Sequence, residues 1–379
     1  MKRFWILFTT DIKTWRKNPM ATMAGFLPAI MMLFTFGLLF GGKTAFPVAV
    51  VNHDSGAYGE LLIETMSEVE SPLGGAYYAP MELSEDEAWG KYDTFAIDTV
   101  WVIPADFSQR LLAGDQPKIE EYFHNYNDDR AKNHRIYPTE ILWRFYEKVD
   151  EAEPDLALAA PPLLLREEYP AADIVGWFPL VGVAVALLGA MLAGMINIFS
   201  LTQQEQVAGI TTDIGLAPRS LNLFLLSKLV FSLMMALISA TIVLVILYFW
   251  IGVSAGVYMW GVWLLAGLVA LFWAGLALIL SFMAGQALGG GIVIVAAGLI
   301  IFFIAGGMAP VQYLPGNIWW LIQFFPNTYA VDPIRELVLF NTIPTNWIQT
   351  VVTLVLFAAV SLGVGFFVAQ RQLRKSVAR

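Results

Sequence analysis

Two short segments match the patterns of known catalytic sites. Gly37–Thr44 fits the nucleotide-binding pattern GxxxxGK(S/T), and Gly252–Gly256 fits the serine-nucleophile pattern GxSxG. The first pattern requires a strand before the glycine-rich turn, so that backbone N–H groups point at phosphates, whereas here it follows an apolar helical segment. The second requires a histidine later in the chain, and all 3 histidines precede it. We therefore predict no ATPase site and no catalytic residue, so the chain is not an enzyme by itself.

Histidine and carboxylate side chains occur together at one place. His124, Asp128, Asp129 and His134 are residue types that bind Zn²⁺, but their spacing matches no known signature, and a polar surface loop is the stronger interpretation. The chain contains 0 cysteines, which excludes a disulfide framework, a thiol nucleophile and a Cys-ligated metal. The sequence therefore predicts no metal site and no cofactor bound by this chain.

The composition indicates a membrane protein. Only 14% of the 379 residues are charged and 58% are hydrophobic, against about 25% charged in soluble domains. Segments 18–42, 174–204, 229–331 and 337–370 contain no charged residue, and each is longer than the roughly 20 residues that cross a bilayer. Because a backbone in hydrocarbon must satisfy its own hydrogen bonds, we predict a polytopic α-helical membrane protein.

The apolar segments divide into six predicted transmembrane helices. Small-residue turns at 252–256 and 285–291 divide the longest uncharged segment. The first helix covers 20–41, and helices 2–6 lie within 175–369. Their predicted bounds are 175–200, 223–250, 258–283, 288–306 and 347–369. Several prolines interrupt 309–345, which is predicted to form an external re-entrant or interfacial hairpin.

Lysine and arginine near the helix ends predict the orientation. Residues 1–19 and the tail 370–379 are both basic, and six helices put both termini on one side, so both are expected in the cytoplasm. Residues 42–174 then lie outside the cytoplasm. Within 43–174 there are 26 acidic against 10 basic residues. The acidic balance belongs to this segment, and nothing indicates a nucleic-acid partner.

Residues 1–19 are predicted to form an amphipathic helix in the cytoplasmic interface, in contact with membrane lipids. Its apolar side chains share one helical face, away from the basic ones. They are Phe4, Trp5, Phe8, Ile12 and Trp15. A signal peptide is the weaker alternative, since no Ala-x-Ala cleavage site follows.

Lys228 lies near a helix end and is expected to extend to the headgroups, which leaves no ionisable group inside the membrane.

The 42–174 segment mixes strand and helix patterns. Strands are predicted at 46–52, 94–103 and 118–126 and helices at 58–69, 107–113 and 136–149, followed by a linker at 151–162. We predict a separate extracytoplasmic α/β domain between the first and second transmembrane helices. This length suffices for a core of its own.

The second transmembrane helix carries a small residue at every fourth position. These residues are Gly182, Ala186, Ala190 and Gly194. Such a stripe lets two helices approach closely. It fits packing within one subunit or the seam of a dimer, and the sequence leaves both open.

The polar loop 203–220 contains a spaced motif. Glu205 stands four residues before Gly209, Pro218 nine after it, and Lys228 ten after the proline. This spacing resembles the type-2 exporter permeases of ATP-binding-cassette (ABC) transporters, in which E-R-E-x-G-T precedes a proline and a Gly-Lys pair. The sequence departs from that pattern at four positions. They are Gln206, Val207, Ile210 and Ser227.

Other segments are similar to the same family. GMAP at 307–310 and FPNTYAVDPIR at 325–335 resemble the family's pattern before its last helix. VVNHDSG at 50–56 and IPADFSQRLLAG at 103–114 resemble the longer, drug-exporter-like branch with a large extracytoplasmic domain. The resemblance covers nearly the whole chain.

The resemblance implies a permease subunit of an ATP-driven exporter in a prokaryotic plasma membrane. It would move an amphipathic or hydrophobic substrate, such as a drug-like molecule or a lipid, out of the cell. Its partners would be cytosolic ABC ATPase subunits, which hold ATP and Mg²⁺, and a second permease chain, identical or paralogous. Alternatives are a sodium or glycoconjugate exporter of the same family, or a non-transporting receptor or scaffold.

Two groups of site residues follow from the resemblance. The loop residues would couple the chain to the ATPase: Glu205, Gly209, Asp213, Pro218, Arg219 and Lys228. The hairpin residues would lie at the exit side: Pro310, Pro315, Pro326, Tyr329, Asp332 and Arg335.

Overall fold

A computed structural model describes residues 2–17, 19–40, 45–70, 75–94, 96–97, 99–123, 128–154, 156, 177–210, 221–283, 290–308 and 319–377. The chain divides into two compact units. One, here called the helical unit, comprises residues 1–41 and 175–379, and the other, here called the 42–174 domain, comprises the residues between them.

The described residues are mostly helical. In chain order the elements are α1 (Lys2–Arg16), α2 (Pro19–Phe40), β1 (Phe46–Asn52), α3 (Ala57–Glu68), β2 (Tyr78–Glu82), α4 (Glu85–Asp93), β3 (Thr99–Ile103), α5 (Phe107–Leu112), β4 (Glu120–Phe123), α6 (Asp128–Ala152), α7 (Trp177–Val207), α8 (Leu221–Ile251), a 3₁₀ turn (Gly256–Tyr258), α9 (Met259–Met283), α10 (Gly290–Ile304), α11 (Trp319–Ile322), α12 (Pro326–Leu339) and α13 (Trp347–Val377). All four strands belong to the 42–174 domain.

Four described helices are long and apolar enough to cross a membrane. They are α7, α8, α9 together with the turn before it, and α13. Two further apolar helices are shorter, Met23–Leu38 within α2 and Gly290–Ile304. The 15 residues of α10 span about 22 Å, less than the roughly 30 Å of a hydrocarbon core. The helical membrane architecture agrees with the sequence prediction, but six spans are not confirmed.

Helix α7 forms the centre of the helical unit. Nearly all its side chains from Val181 to Phe199 are buried, and it packs against α2, α8, α9 and α10. A helix that is apolar on every face can be surrounded by other helices in this way. The helix continues through Val207, two turns beyond the predicted end at residue 200. Both Glu205 and the preceding glutamines are therefore helical.

Helices α9 and α13 approach each other at backbone distance. A Cβ atom placed on Gly365 would come within 2.6 Å of the Gly275 carbonyl oxygen, and one on Gly275 within 2.5 Å of the Ser361 backbone. The Ser361 hydroxyl donates a 2.6 Å hydrogen bond to the Phe272 carbonyl. Small residues at these positions allow this close approach.

The 42–174 domain contains a four-stranded sheet in the order β2-β1-β3-β4. Strand β1 is parallel to β2 and β3, whereas β4 is antiparallel to β3. Val48, Val50 and Trp101 pack on one face with side chains of α3, α5 and α6. On the other face Ala49 and Val100 pack with α4. Both faces are buried, as is usual for parallel strands with helical crossovers.

The sequence missed one strand and one helix of this domain. Strand β2 contains Pro80 and lies at the edge of the sheet, where a missing N–H group is tolerated. Helix α4 begins with a Ser84–Glu87 capping box. Strand β3 starts at Thr99 rather than residue 94. Helix α6 extends to Ala152, beyond the predicted end at 149.

Candidate functional site

Three charged side chains meet inside the helical unit. The Lys228 ammonium on α8 lies 2.5 Å from the Glu205 carboxylate on α7 and 3.2 Å from the Asp11 carboxylate on α1. Their residues are 0%, 4% and 2% exposed, respectively. Each carboxylate comes from a different helix, so the ammonium joins three segments that are distant in the sequence. We refer to Asp11, Glu205 and Lys228 as the buried triad.

Neighbouring side chains complete the surroundings of the buried triad. The Ser227 hydroxyl donates a 2.8 Å hydrogen bond to Asp11, and the Lys228 ammonium lies 4.5 Å from the centre of the Phe224 ring. Burial of charge is costly unless each group is paired, and these contacts pair each one. The expectation that Lys228 extends to the headgroups is therefore wrong, because its contacts hold it within the chain.

Helix α1 packs against α8 through the face that bears Asp11. Phe8 and Trp15 both contact the Phe231 ring edge to face, at 6.2 and 5.9 Å between ring centres. Trp5 is 58% exposed and makes no part of this packing. Sequence reasoning missed Asp11 as a site residue. The available signal was an acidic residue at helical spacing between Phe8 and Trp15, on the apolar face.

The helical part of the 203–220 loop attaches to α9. The side-chain amides of Gln203 and Gln206 both donate to the Ser281 carbonyl, at 3.0 and 3.1 Å. Gly209 then has a φ of +74°, with nothing within 4 Å of a Cβ atom placed there. Helix α7 thus ends in a conformation that favours glycine. Of the predicted coupling residues, Asp213, Pro218 and Arg219 lie outside the described residues.

Helix α12 carries the second group of polar contacts. The Arg335 guanidinium donates to the Leu180 carbonyl and the Gly307 carbonyl, both at 3.0 Å, and to the Asp332 carboxylate at 2.9 Å. Arg335 is 3% exposed. It therefore joins α12 to the start of α7 and to the buried Gly307 in the segment after α10.

The other described hairpin residues contribute to the same packing. Asn327 accepts a 2.7 Å hydrogen bond from the Trp273 indole and is buried. Pro326 occupies the first turn of α12, where its missing N–H group costs nothing. Tyr329 donates to the Gln323 carbonyl at 3.3 Å. Helix α12 is thus built into the core of the helical unit, while Pro310 and Pro315 lie outside the described residues.

Replacing Arg335 with leucine is expected to lower the stability of the chain by about 3 kcal/mol, because it removes three hydrogen bonds from a buried charged group and leaves the buried Gly307 carbonyl without this donor. Thermal unfolding in detergent measures the effect. The matched control is Arg144→Leu in the 42–174 domain, whose guanidinium pairs with Glu140 and Glu147 at the surface and should contribute at most about 1 kcal/mol. Equal melting shifts for the two variants would contradict the structural role of Arg335.

The small-residue stripe lies inside the helical unit. Its members Gly182, Ala186, Ala190 and Gly194 are all buried. A Cβ atom on Gly182 would come within 2.7 Å of Leu247, and one on Gly194 within 3.5 Å of the Ala270 carbonyl. This placement supports packing within one subunit, since the stripe is covered by helices of the same chain.

In the two segments that resemble catalytic patterns, the residues that the structure describes have structural roles. Gly37 lies in α2, and a Cβ atom there would contact the Trp250 ring, while 41–44 lie outside the described residues. In the segment 252–256, Gly252 and Gly256 have φ values of +73° and +50°. The Ser254 hydroxyl accepts a hydrogen bond from the Gly256 N–H. These glycines form the turn between α8 and α9, as predicted.

His134 is buried in the core of the 42–174 domain. Its Nδ1 atom lies 3.3 Å from the Glu121 carboxylate and 3.4 Å from the Tyr78 hydroxyl, and its ring stacks on Phe123 at 4.9 Å. Burial, followed by the Glu121 charge, raises the pKa of Tyr78. Within the described ranges, no group of three His, Cys, Asp or Glu side chains is arranged to hold a metal ion. His124 lies outside those ranges.

The VVNHDSG segment, which resembles the exporter branch, forms hydrogen bonds that connect the segments after β1 and β3. After β1, the Asp54 carboxylate accepts hydrogen bonds from the Gly59 N–H at 3.2 Å and from the Ser108 hydroxyl at 2.5 Å. It also accepts one from the Ser108 N–H at 3.2 Å. Asp54 thus joins the first turns of α3 and α5. These hydrogen bonds give a structural reason for the aspartate and the serine at positions 54 and 108.

Comparison with known proteins gives one match, and it covers most of the chain. Residues 21–367 match the family model described as ABC-2 family transporter protein. No significant match was found among curated proteins or among solved structures. Members of this family are membrane components of transporters and are not themselves catalytic. From the extent of this match, the chain belongs to the ABC-2 family of transporter proteins.

Proposed function

We propose that the chain is the permease subunit of an ABC exporter, driven by a separate cytosolic ATPase that docks on residues 203–220. Membership of the ABC-2 family implies association with an ABC ATPase. The observation that carries the docking proposal is the position of Glu205, which lies in the buried triad four residues before the turn at Gly209. A force applied to the loop would act directly on three helices.

The proposal includes six membrane crossings with both termini in the cytoplasm and the 42–174 domain outside. The four long apolar helices would account for four crossings. Helices α2 and α10 would supply the others, with α10 in a locally thinned bilayer. The basic ends of the chain support this orientation, and the acidic 42–174 domain would then lie on the side where positive charge is not required.

We further propose an amphipathic or hydrophobic cargo and outward transport across a prokaryotic plasma membrane. A groove of about 150 Å³ between α8, α9 and α12 supports the apolar part of this proposal. Its lining includes Leu244, Phe249 and Trp263, and it contains no charged residue. Its volume is below the roughly 300 Å³ of a site that encloses a drug-sized molecule, so it would hold only an apolar part of the cargo. A sodium or glycoconjugate exporter, or a receptor acting through the 42–174 domain, remains the alternative.

Affinity purification from native membranes, followed by an ATPase assay in lipid nanodiscs, tests this function. We expect an ATP-hydrolysing subunit to copurify with the chain, and a second copy of the chain or a paralogue to be present in the same complex. Candidate lipids and hydrophobic dyes are then screened for stimulation of hydrolysis. Recovery of the chain with no ATP-hydrolysing partner would favour the receptor alternative.

Replacing Gly209 with proline is expected to reduce stimulated ATP hydrolysis at least about tenfold without preventing membrane insertion. The reason is that proline requires φ near −65°, whereas Gly209 has φ +74°. Gly209→Asn is the matched control, because asparagine tolerates positive φ. Full stimulation in the proline variant would show that the turn at residue 209 has no part in coupling.

A further inference from the structure

We propose that Asp11 is a positioning residue that fixes α1 to the root of the 203–220 loop, which we define as residues 203–207 at the end of α7, so that α1 and this root move as one body. The proposal rests on the proposed function for its consequence in transport. The attachment itself is a property of the chain alone. Helix α1 would thus transmit motion from the end of α7, in addition to its contact with lipids.

The contacts of Asp11 connect α1 to α8 and, through the Lys228 ammonium, to Glu205 at the root of the loop. One carboxylate oxygen accepts from the Ser227 hydroxyl at 2.8 Å and the other lies 3.2 Å from the Lys228 ammonium. The same ammonium lies 2.5 Å from Glu205, the last buried residue of α7. Asp11 and Glu205 are therefore linked through one cation, and α1 cannot separate from α7 without breaking an ion pair.

Burial makes this link stiff. The three charged residues are at most 4% exposed, so water does not screen their attraction or replace their contacts. The aromatic contacts of Phe8 and Trp15 with Phe231 hold the segment between these two residues, which contains Asp11, against α8. Trp5, nearer the start of α1, is largely exposed. Helix α1 is thus fixed along the segment that contains Asp11.

The charge balance of the buried triad provides a variant that tests the link rather than the folding. The triad contains two carboxylates and one ammonium. Asp11→Asn leaves the Lys228–Glu205 pair, which is neutral overall, so no buried charge is left without a partner. The same variant removes the only charge that α1 contributes to the triad. It should therefore fold and release α1 from the ion pair.

Spin-label distance measurements test the attachment in the chain alone, reconstituted in nanodiscs. The sequence has 0 cysteines, so Thr9→Cys on α1 and Val207→Cys at the end of α7, both exposed, can be labelled selectively. We expect one narrow distance distribution in the labelled parent and a distribution at least about twice as broad with Asp11→Asn. Lys13→Gln, which removes an exposed charge from the same helix, should leave it narrow. An unchanged distribution in Asp11→Asn would overturn the proposal.

The consequence for transport is measured with the copurified ATPase. Asp11→Asn is expected to lower the ratio of stimulated to basal hydrolysis about five- to tenfold, whereas Asp11→Glu, which restores the carboxylate, should recover most of it. A purely structural role would lower yield and melting temperature but not this ratio. If Asp11→Asn accumulates poorly, Ser227→Ala removes one hydrogen bond to Asp11 and should give a smaller change in the same direction.

The outcomes separate this inference from the proposed function. Absence of any ATPase partner, with a broadened distance distribution in Asp11→Asn, would reject the function and retain the attachment. A stimulated ATPase whose ratio and distances are insensitive to Asp11→Asn would retain the function and reject the attachment.

Discussion

Replacing Lys228 with methionine is expected to prevent the chain from accumulating as a folded membrane protein. The substitution keeps the length of the side chain but leaves the Asp11 and Glu205 carboxylates buried without their shared cation. Removing one partner of a buried ion pair costs about 3–5 kcal/mol, and here two carboxylates lose the same partner. Size-exclusion chromatography of a fluorescent fusion, with melting of any folded fraction, measures the effect.

The triple variant Lys228→Met, Asp11→Asn, Glu205→Gln is the control for this prediction. It removes all three charges, so no uncompensated charge remains inside the helical unit. We expect it to restore most of the folded protein while leaving α1 without its ion pair. Normal yield and melting of the single Lys228→Met variant would show that the three side chains do not depend on one another.

Replacing Gly365 with valine is expected to force α9 and α13 apart. A Cβ atom at residue 365 would come within 2.6 Å of the Gly275 carbonyl oxygen, and the neighbouring Gly275 atoms lie at 3.2 Å. Backbone atoms cannot move aside as a flexible side chain can, so we expect a loss at the upper end of the about 1–3 kcal/mol range for overpacking, or more. Thermal melting in detergent measures it.

Gly363→Val is the matched control on the same helix. Nothing lies within 4 Å of a Cβ atom placed on Gly363, so this variant changes helix propensity alone and should be nearly neutral. Similar melting temperatures for the two valine variants would mean that α9 and α13 are not packed at backbone distance.

The broad architecture could be predicted from the distribution of charge. The uncharged segments predicted helices at 223–250 and 258–283, and the structure has α8 and α9 at nearly these bounds. This works because hydrocarbon excludes both charged side chains and unpaired backbone groups. The end of α7 was less predictable, since Gln203 and Gln206 are polar yet helical, with their amides bonded to the Ser281 carbonyl.

Within the 42–174 domain, β1 followed from a run of β-favouring residues and α5 from local helix propensity, whereas β2 did not follow from its own residues. A strand at the sheet edge is specified by its partner, β1, rather than by its own residues, and Pro80 conceals it further. Strand β2 therefore could not be predicted, because it forms through pairing with a segment far from it in the sequence.

The buried triad could be predicted only in part. The spacing of Glu205 and Lys228 marked both as related residues, and the structure brings them together. Their burial and the third member did not follow, because Lys228 near a helix end usually reaches the headgroups and Asp11 belongs to a helix interpreted as lipid-facing. Only the packing of α1 on α8 places the Asp11 carboxylate beside the Lys228 ammonium. From the sequence alone, Asp11 is an acidic residue that interrupts an apolar helix face.

Site-specific cross-linking from residue 209 tests the central claim most directly. With 0 native cysteines, Gly209→Cys carries the single thiol for a thiol-to-amine cross-linker, and Gln116→Cys in the 42–174 domain serves as the control. We predict that the cysteine at 209 forms a covalent product with a subunit that binds ATP and that the cysteine at 116 does not. Labelling of the cysteine at 209 by a membrane-impermeant maleimide added to intact cells, with no such product, would contradict the account.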